Sequence, residues 1–129
     1  RLGDPETEVV IPRVKNDLVE LFMAVQEGTL NGIKLDIESK AAATVMAVSK
    51  GYPQAYEKGK TIKGLSKDKM IFHAGTKINN GQVQTSGGRV LAFTSLGINH
   101  NTALKNSYKK LSKVTFEGIS YRTDIGFDL

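Results

Sequence analysis

The sequence predicts an α+β fold in which a small antiparallel sheet follows a helical amino-terminal segment. Apolar residues recur at helical spacing before residue 28 and again between residues 99 and 114, whereas strand-like runs dominate residues 42 to 96. Asn80-Gly81 lies between two of these runs, which predicts a type I′ hairpin and therefore two antiparallel neighbours. Helices segregated from an antiparallel sheet are typical of the α+β class.

The first predicted element is a helix that begins within "GDPETEVV". Asp4 is free to cap it, and Pro5 suits the first helical position. Glu6 and Glu8 fall in the first turn, where the helix dipole favours negative charge. Pro12 lacks the amide that a helix interior needs, so we expect the helix to kink or restart there.

A second stretch has the spacing of an amphipathic helix that stops at Gly28. Its apolar residues recur at intervals of three and four, and they are Val14, Leu18, Leu21, Phe22 and Val25. We expect this apolar stripe to need a partner surface. One hypothesis is therefore an assembly domain whose helix contacts another molecule.

The composition changes near residue 35, which we take as a domain boundary. Five strand-like runs follow the boundary: "AATVMAVS", "TIKGL", "KMIFHAGT", "GQVQT" and "RVLAFTSL". Asn99 is the expected cap of the last helix, whose apolar face recurs up to Val114. We expect the tail "TFEGISYRTDIGFDL" to add a last strand.

Composition excludes several classes of protein. The 129 residues contain no cysteine, so disulfide frameworks and thiolate chemistry are excluded and a cytoplasmic location is expected. The longest uncharged run, "AAATVMAVS", is far shorter than the ~20 apolar residues that cross a bilayer. Because no leader sequence precedes it, we expect a soluble chain with no membrane partner.

Charge is distributed unevenly along the chain. Residues 1 to 40 carry 5 basic and 8 acidic groups (net −3), whereas residues 41 to 129 carry 13 basic and 5 acidic groups (net +8). This favours an anionic partner for the later part, and a basic nucleic-acid-binding module is one hypothesis. Few aromatic residues accompany the lysines between positions 58 and 69, which argues against a nucleic-acid partner.

Glycine-rich segments are the first candidate sites. The segment "SGGR" is the most informative, because Gly87 and Gly88 allow the backbone to approach a ligand closely and Arg89 offers a planar fork for phosphate or carboxylate. The glycine spacings fit neither a phosphate-binding loop nor a dinucleotide fingerprint. From the residues alone, a turn followed by a surface arginine is the simpler interpretation.

Charged residues at the start of the chain form the second candidate site. Asp4 and Glu6 lie close to Arg1, a density of opposite charges that a helix cap does not require. His73 and His100 are too few and too far apart in sequence to argue for a metal site or a catalytic triad. Helix capping explains Asp4 but not the whole charged cluster.

Five segments in register resemble a known family. They are "RLGDPETEVVIPRVKNDLVELF", "GYPQAYEKGK", "FHAGT", "TSGGRVL" and "YRTDIG". Over essentially its whole length, the chain resembles the last third of the phosphoribosylamine-glycine ligases of purine biosynthesis. Each segment alone is weak, but "RLGDPET" is uncommon, and five agreements in order make chance improbable.

The resemblance implies an ATP-grasp ligase that uses ATP and Mg²⁺ (or Mn²⁺) to join glycine to 5-phosphoribosylamine. It implies that residues 1–35 are the end of the ATP-grasp domain and that residues 36–129 are a carboxy-terminal α+β domain with a small antiparallel sheet. The family's metal ligands precede the position of Arg1. We therefore expect no metal ligand or bound cofactor in this chain, and no activity without the rest of the ligase.

The resemblance also implies roles for individual residues. Arg1 matches an arginine that stabilises the acyl phosphate or the transferring phosphoryl group, which suits a permanently charged guanidinium. Asp4 and Glu6 match acids near the glycine and amine pocket. The turn at residues 87–89 matches the place where related enzymes hold the ribose 5-phosphate. The alternatives are other ATP-grasp enzymes, including biotin-dependent carboxylases, against which "GDPET" argues.

Overall fold

An antiparallel sheet of four strands forms the centre of the fold in the computed structural model, which describes residues 2–127. The helices are α1 (Thr7–Val10), α2 (Leu18–Glu27) and α3 (His100–Leu111). The strands are β1 (Ala41–Ser49), β2 (Ile71–His73), β3 (Thr76–Asn79), β4 (Gln82–Thr85), β5 (Arg89–Gly97) and β6 (Ile119–Ser120). The sheet has the order β2-β5-β1-β6, and β3 and β4 form a separate hairpin. The predicted α+β class is confirmed.

The two longest strands, β1 and β5, pair antiparallel from the end where Ala41 lies opposite Gly97. Alternate side chains point to the face of the sheet that α3 covers. Ser107 of α3 donates a hydrogen bond of 2.8 Å from Oγ to the main-chain oxygen of Ala43. The core on this face contains Val45, Ala47, Leu91, Phe93, Leu111, Val114 and Phe116.

The first helix, α1, lies against the opposite face of the sheet. Thr94 of β5 is buried there, and its Oγ1 donates a hydrogen bond of 2.9 Å to the main-chain oxygen of Glu8. The same hydroxyl lies 2.9 Å from Oγ1 of Thr44 on β1. These contacts attach the amino-terminal segment to the two central strands, which brings "GDPET" close to the sheet.

The start of α1 differs from the prediction. The helix begins at Thr7, so Pro5 does not occupy its first position. The expected cap at Asp4 is wrong as well, because Asp4 pairs with Arg89 instead. Thr7 stabilises the start of the helix locally, since its Oγ1 donates a hydrogen bond of 2.6 Å to the main-chain oxygen of Gly3.

The carboxyl end of helix α2 lies where the sequence predicts it. A 3-10 turn at Ile11–Arg13 confirms the interruption expected near Pro12. Asp17 caps α2, because its Oδ1 accepts a hydrogen bond of 2.7 Å from the amide of Val19. The helix ends at Gly28, which has a φ of +69° that favours glycine.

The apolar side of α2 is only partly covered by the residues in the range 2–127. Val19, Phe22 and Val25 are 68%, 68% and 61% exposed. Leu18 and Leu21 are half-buried, and Ala24 is the buried residue of the helix. Of the predicted stripe, Phe22 and Val25 therefore face solvent, whereas Val14, Leu18 and Leu21 are half-buried.

The segment "TIKGL" was predicted as a strand, and this prediction is wrong. Thr61 and Lys63 make single bridges to Gln84 and Thr115, and Ile62 between them is buried. Because the two bridges join this segment to two different parts of the chain, neither bridge extends into a strand ladder.

The turn and cap predictions for the rest of the chain are confirmed. Asn80 and Gly81 have φ angles of +47° and +74°, as a type I′ hairpin requires, and they connect β3 to β4. Asn99 caps α3, since its Oδ1 accepts a hydrogen bond of 2.8 Å from the amide of Thr102. The tail adds β6 beside β1.

Candidate functional site

Two of the predicted site residues, Asp4 and Arg89, meet at the start of β5. Arg89 Nη1 donates a hydrogen bond of 2.7 Å to the main-chain oxygen of Asp4 and lies 3.4 Å from Asp4 Oδ1. The two side chains are 38% and 54% exposed, so the pair lies at the surface and is open to a ligand. A contact across 85 positions of sequence therefore joins the two candidate sites into one.

The guanidinium of Arg89 is only partly used by this contact. Nη1 of Arg89 contacts the main-chain oxygen and the carboxylate of Asp4. Among residues 2–127, Nε and Nη2 donate to no protein group. Nε and one Nη2 hydrogen form the planar fork that binds phosphate or carboxylate in two parallel hydrogen bonds. Arg89 can therefore hold Asp4 and an anion at the same time.

Glu6 lies in the same turn of chain but does not join the pair. Its side chain is exposed and folds over Gly3, where an added Cβ would lie 2.8 Å from Glu6 Cδ. Within the described residues Glu6 makes no ion pair, so its carboxylate is free to accept a hydrogen bond. Arg1, the third predicted member of this cluster, lies outside the described residues.

The turn before Arg89 is held by contacts from three directions. Ser49, at the end of β1, donates from its amide to the oxygen of Gly88 (2.8 Å) and from Oγ to the oxygen of Gly87 (3.0 Å). A Cβ on Gly88 would lie 2.7 Å from Cε2 of Tyr52. A Cβ on Gly75 would lie 2.7 Å from Cα of Gly87. Protein groups therefore occupy the space next to both glycines of the turn.

The main-chain amides of Gly87 and Gly88 are the other potential hydrogen-bond donors of this turn. Gly87 and Gly88 donate no main-chain hydrogen bond to any residue in the range 2–127, although Gly88 is buried. Buried amides in folded proteins are almost always paired. Successive free amides beside a guanidinium are a common arrangement for binding an anion.

Sequence reasoning missed three residues of this site. Ser49, Tyr52 and Gly75 were not singled out, because "GYP" and "HAGT" each have the composition of an ordinary turn. No pattern in a single sequence shows that the turn at Tyr52 packs on the turn at residues 87–89, more than thirty positions later. The segment order shared with the family was the one available signal.

A cleft of about 550 Å³ is lined by Ser49 and Tyr56, and three of its charged side chains pair with one another. Lys60 Nζ lies 2.7 Å from Glu57 Oε2 and 3.1 Å from Glu117 Oε2. Glu57, and secondly Glu117, raise the pKa of Lys60, and the hydrogen bond from Lys60 lowers the pKa of Glu57. With two carboxylates on one ammonium, this lysine is a poor anchor for a phosphate.

The described part of the chain contains no cluster of three or more histidine, aspartate or glutamate side chains that could hold a metal ion. Across residues 2–127, no helix has the length and apolar character that a membrane span requires.

Comparison with known proteins identifies the family. The family model described as "Phosphoribosylglycinamide synthetase, C domain" matches residues 42–128. The chain belongs to this family. The resemblance predicted from the five segments is therefore confirmed, and the matched region contains the 87–89 turn but not Asp4 or Glu6.

Relatives of this chain come from bacteria and eukaryotes. A Caldanaerobacter subterraneus protein named phosphoribosylamine-glycine ligase is 45% identical over 127 residues, which are 97% of this chain and 30% of that protein. A bifunctional purine biosynthetic protein of Dictyostelium discoideum is 47% identical over 98% of this chain and 16% of its own length. The human trifunctional purine biosynthetic protein adenosine-3 is 42% identical over 98% of this chain and 13% of its own length.

A solved family structure has the same fold. The crystal structure of phosphoribosylamine-glycine ligase from Thermotoga maritima matches with a TM-score of 0.77 and 37% identity, and the match covers 96% of this chain and 31% of that one. The chain thus spans about a third of the length of the single-function relatives it matches. These relatives do not favour the alternative of a biotin-dependent carboxylase.

Proposed function

We propose that this chain is the carboxy-terminal part of a phosphoribosylamine-glycine ligase, which joins glycine to 5-phosphoribosylamine and converts ATP to ADP and phosphate in purine biosynthesis. The observation that carries the proposal is the 45% identity to such a ligase over 97% of this chain. Residues 1–35 end the ATP-grasp domain, and residues 36–129 form the carboxy-terminal domain. The chain alone is inactive.

ATP and Mg²⁺ belong to the intact ligase in this proposal. The described residues do not fit a metal site, since they offer no cluster of carboxylate or imidazole ligands. We therefore assign no step through the metal to this chain. Its contribution is to bind and orient the substrate that carries the ribose 5-phosphate.

The anion site at the 87–89 turn holds this phosphate. The Nε and Nη2 fork of Arg89 and the amides of Gly87 and Gly88 donate hydrogen bonds to its oxygens, and the arginine charge neutralises part of the phosphate charge. Because Nη1 remains hydrogen-bonded to Asp4, Arg89 connects the bound phosphate to the turn that contains the acidic residues.

The acidic residues orient the reacting groups. Asp4 is held by Arg89, and the exposed carboxylate of Glu6 accepts a hydrogen bond from the amine of glycine or of phosphoribosylamine. Arg1 stabilises the acyl phosphate through its permanent charge. Alignment of two substrates within one pocket lowers the entropic part of the barrier.

A grafted enzyme tests the proposed function. The last 30% of the Caldanaerobacter ligase is replaced by this chain, and ADP release is measured with both substrates and with each substrate left out. We expect ADP release that requires both glycine and phosphoribosylamine. The negative control is the Caldanaerobacter ligase that lacks its last 30% and carries no graft. A stable, folded graft without this dependence would contradict the proposal.

A further inference from the structure

The segment "GYP" after β1 contacts the 87–89 turn, but it has no part in the function proposed so far. Tyr52 begins a tight loop, with its amide donating a hydrogen bond of 3.1 Å to the oxygen of Ser49. Its ring is half-buried and forms an edge-to-face pair with Tyr56, with ring centres 6.0 Å apart. The loop thus presents one aromatic ring to the 87–89 turn on a locally fixed backbone.

The ring of Tyr52 packs directly on Gly88. An added Cβ at Gly88 would overlap the ring, with calculated separations of 2.7 Å from Cε2 and 3.0 Å from Cγ. The oxygen of Gly88 also accepts a hydrogen bond of 2.8 Å from the amide of Ser49. Gly88 is therefore held by both a ring and a strand end, and only glycine leaves room for the ring.

We propose that Tyr52 is a positioning residue for Arg89, acting through Gly88. The backbone of residue 88 sets the direction in which β5 begins, and Arg89 is the first residue of that strand. A fixed Gly88 keeps the guanidinium on Asp4 and its remaining donors over the anion site. The inference rests on the proposed function, because the anion is the ribose 5-phosphate of that proposal.

The position of Tyr52 argues against a general role in stability. It belongs neither to the buried core cluster nor to the apolar residues packed around that cluster. Loss of its ring should therefore loosen the turn while leaving the core on the α3 face intact. A matched aromatic control is Tyr121, which pairs with Tyr108 at 6.3 Å and is exposed.

The first test follows the side-chain Nε–H signal of Arg89 by NMR in the 129-residue chain. Tyr52→Ala should shift or broaden this signal, whereas Tyr52→Phe, which keeps the ring, and Tyr121→Ala should leave it unchanged. Backbone spectra report whether each variant is folded, and Tyr52→Leu replaces Tyr52→Ala if the latter unfolds. An unchanged Arg89 signal in the folded ring-deletion variant would overturn the positioning role, as would failure of Tyr52→Phe to preserve it.

The second test is a double-mutant cycle on the affinity of the grafted ligase for glycinamide ribonucleotide, the product of joining glycine to 5-phosphoribosylamine, which carries the ribose 5-phosphate. Tyr52→Ala should weaken binding about tenfold in the parent, yet by less than about twofold when Arg89 is already alanine. Equal losses in both backgrounds would overturn the proposal, because Tyr52 would then act independently of Arg89. If Arg89→Ala itself leaves affinity unchanged, the phosphate site of the proposed function fails, and the NMR result alone decides the positioning role.

Discussion

The guanidinium of Arg89 contacts Asp4 from 85 positions away in the sequence, with Nη1 2.7 Å from the main-chain oxygen and 3.4 Å from Oδ1. This contact joins an acidic turn that precedes the first helix to a glycine turn that begins the central strand. It also leaves one side of the arginine fork for a ligand. Four predictions follow from this site and the fold that supports it.

Arg89→Ala should weaken binding of glycinamide ribonucleotide by the grafted ligase about ten- to hundredfold, since a hydrogen bond to a charged group contributes roughly 1.5–3 kcal/mol. Arg89→Lys keeps the charge but not the planar fork, so the affinity of this variant should fall between that of the parent and that of Arg89→Ala. Calorimetry measures the dissociation constants. Arg122→Ala, which alters a surface arginine paired with Asp124, is the matched control. Equal affinities for Arg89→Ala and the parent would contradict the assignment.

Asp68 should stabilise the fold at neutral pH and lose this effect in acid. The amide of Met70, and secondly Lys110, lower the pKa of Asp68 from its ordinary value of 3.8. Because the folded pKa is depressed, the stabilisation is complete above the ordinary pKa and is lost as pH falls through the folded one.

Asp68→Asn should therefore reduce the free energy of unfolding by about 1 kcal/mol at neutral pH, a value that allows for partial solvent screening. Urea titrations of the variant and the parent should converge as pH falls below 3.8. Asp4→Asn is the control, because exposed pairs such as Asp4 and Arg89 contribute less than about 1 kcal/mol. A pH-independent difference for Asp68→Asn would contradict the prediction.

Gly81→Ala should destabilise the chain by about 1 kcal/mol through backbone strain alone. Gly81 has a φ of +74°, and no atom would contact an added Cβ within 4 Å. Gly32 is equally open but has no positive φ in the strained range, so Gly32→Ala should be neutral or slightly stabilising. Thermal unfolding compares the two, and equal losses would show that the strain argument is wrong.

The exposed face of α2 should make the isolated chain self-associate as its concentration rises. Phe22→Lys removes an apolar side chain that is 68% exposed, so it should shift the association to higher concentration. Ile78→Lys, at a position that is 77% exposed on the β3–β4 hairpin, is the control and should have no such effect. Sedimentation velocity decides the matter, and monomers throughout the micromolar range would rule the idea out.

Local signals predicted most of the secondary structure. Asn80-Gly81, the Asn99 cap and the Gly28 stop are each defined by a few neighbouring residues, and all three are found as predicted. Two of the errors arose where distant contacts overrode local preference. "TIKGL" bridges two separate segments instead of pairing as a strand, and Asp4 leaves the helix start for Arg89.

The sequence by itself determined the α+β class, the hairpin, the Asn99 cap and the Gly28 stop, because periodicity and turn chemistry are local properties of the chain, and the five ordered segments indicated the family. The tertiary structure alone decided that Arg89 lies on Asp4, that Tyr52 and Gly75 pack on the glycine turn, and that Phe22 and Val25 of α2 face solvent. These features depend on which strands pair and which surfaces meet, and a contact across 85 residues leaves no periodic trace in a single sequence.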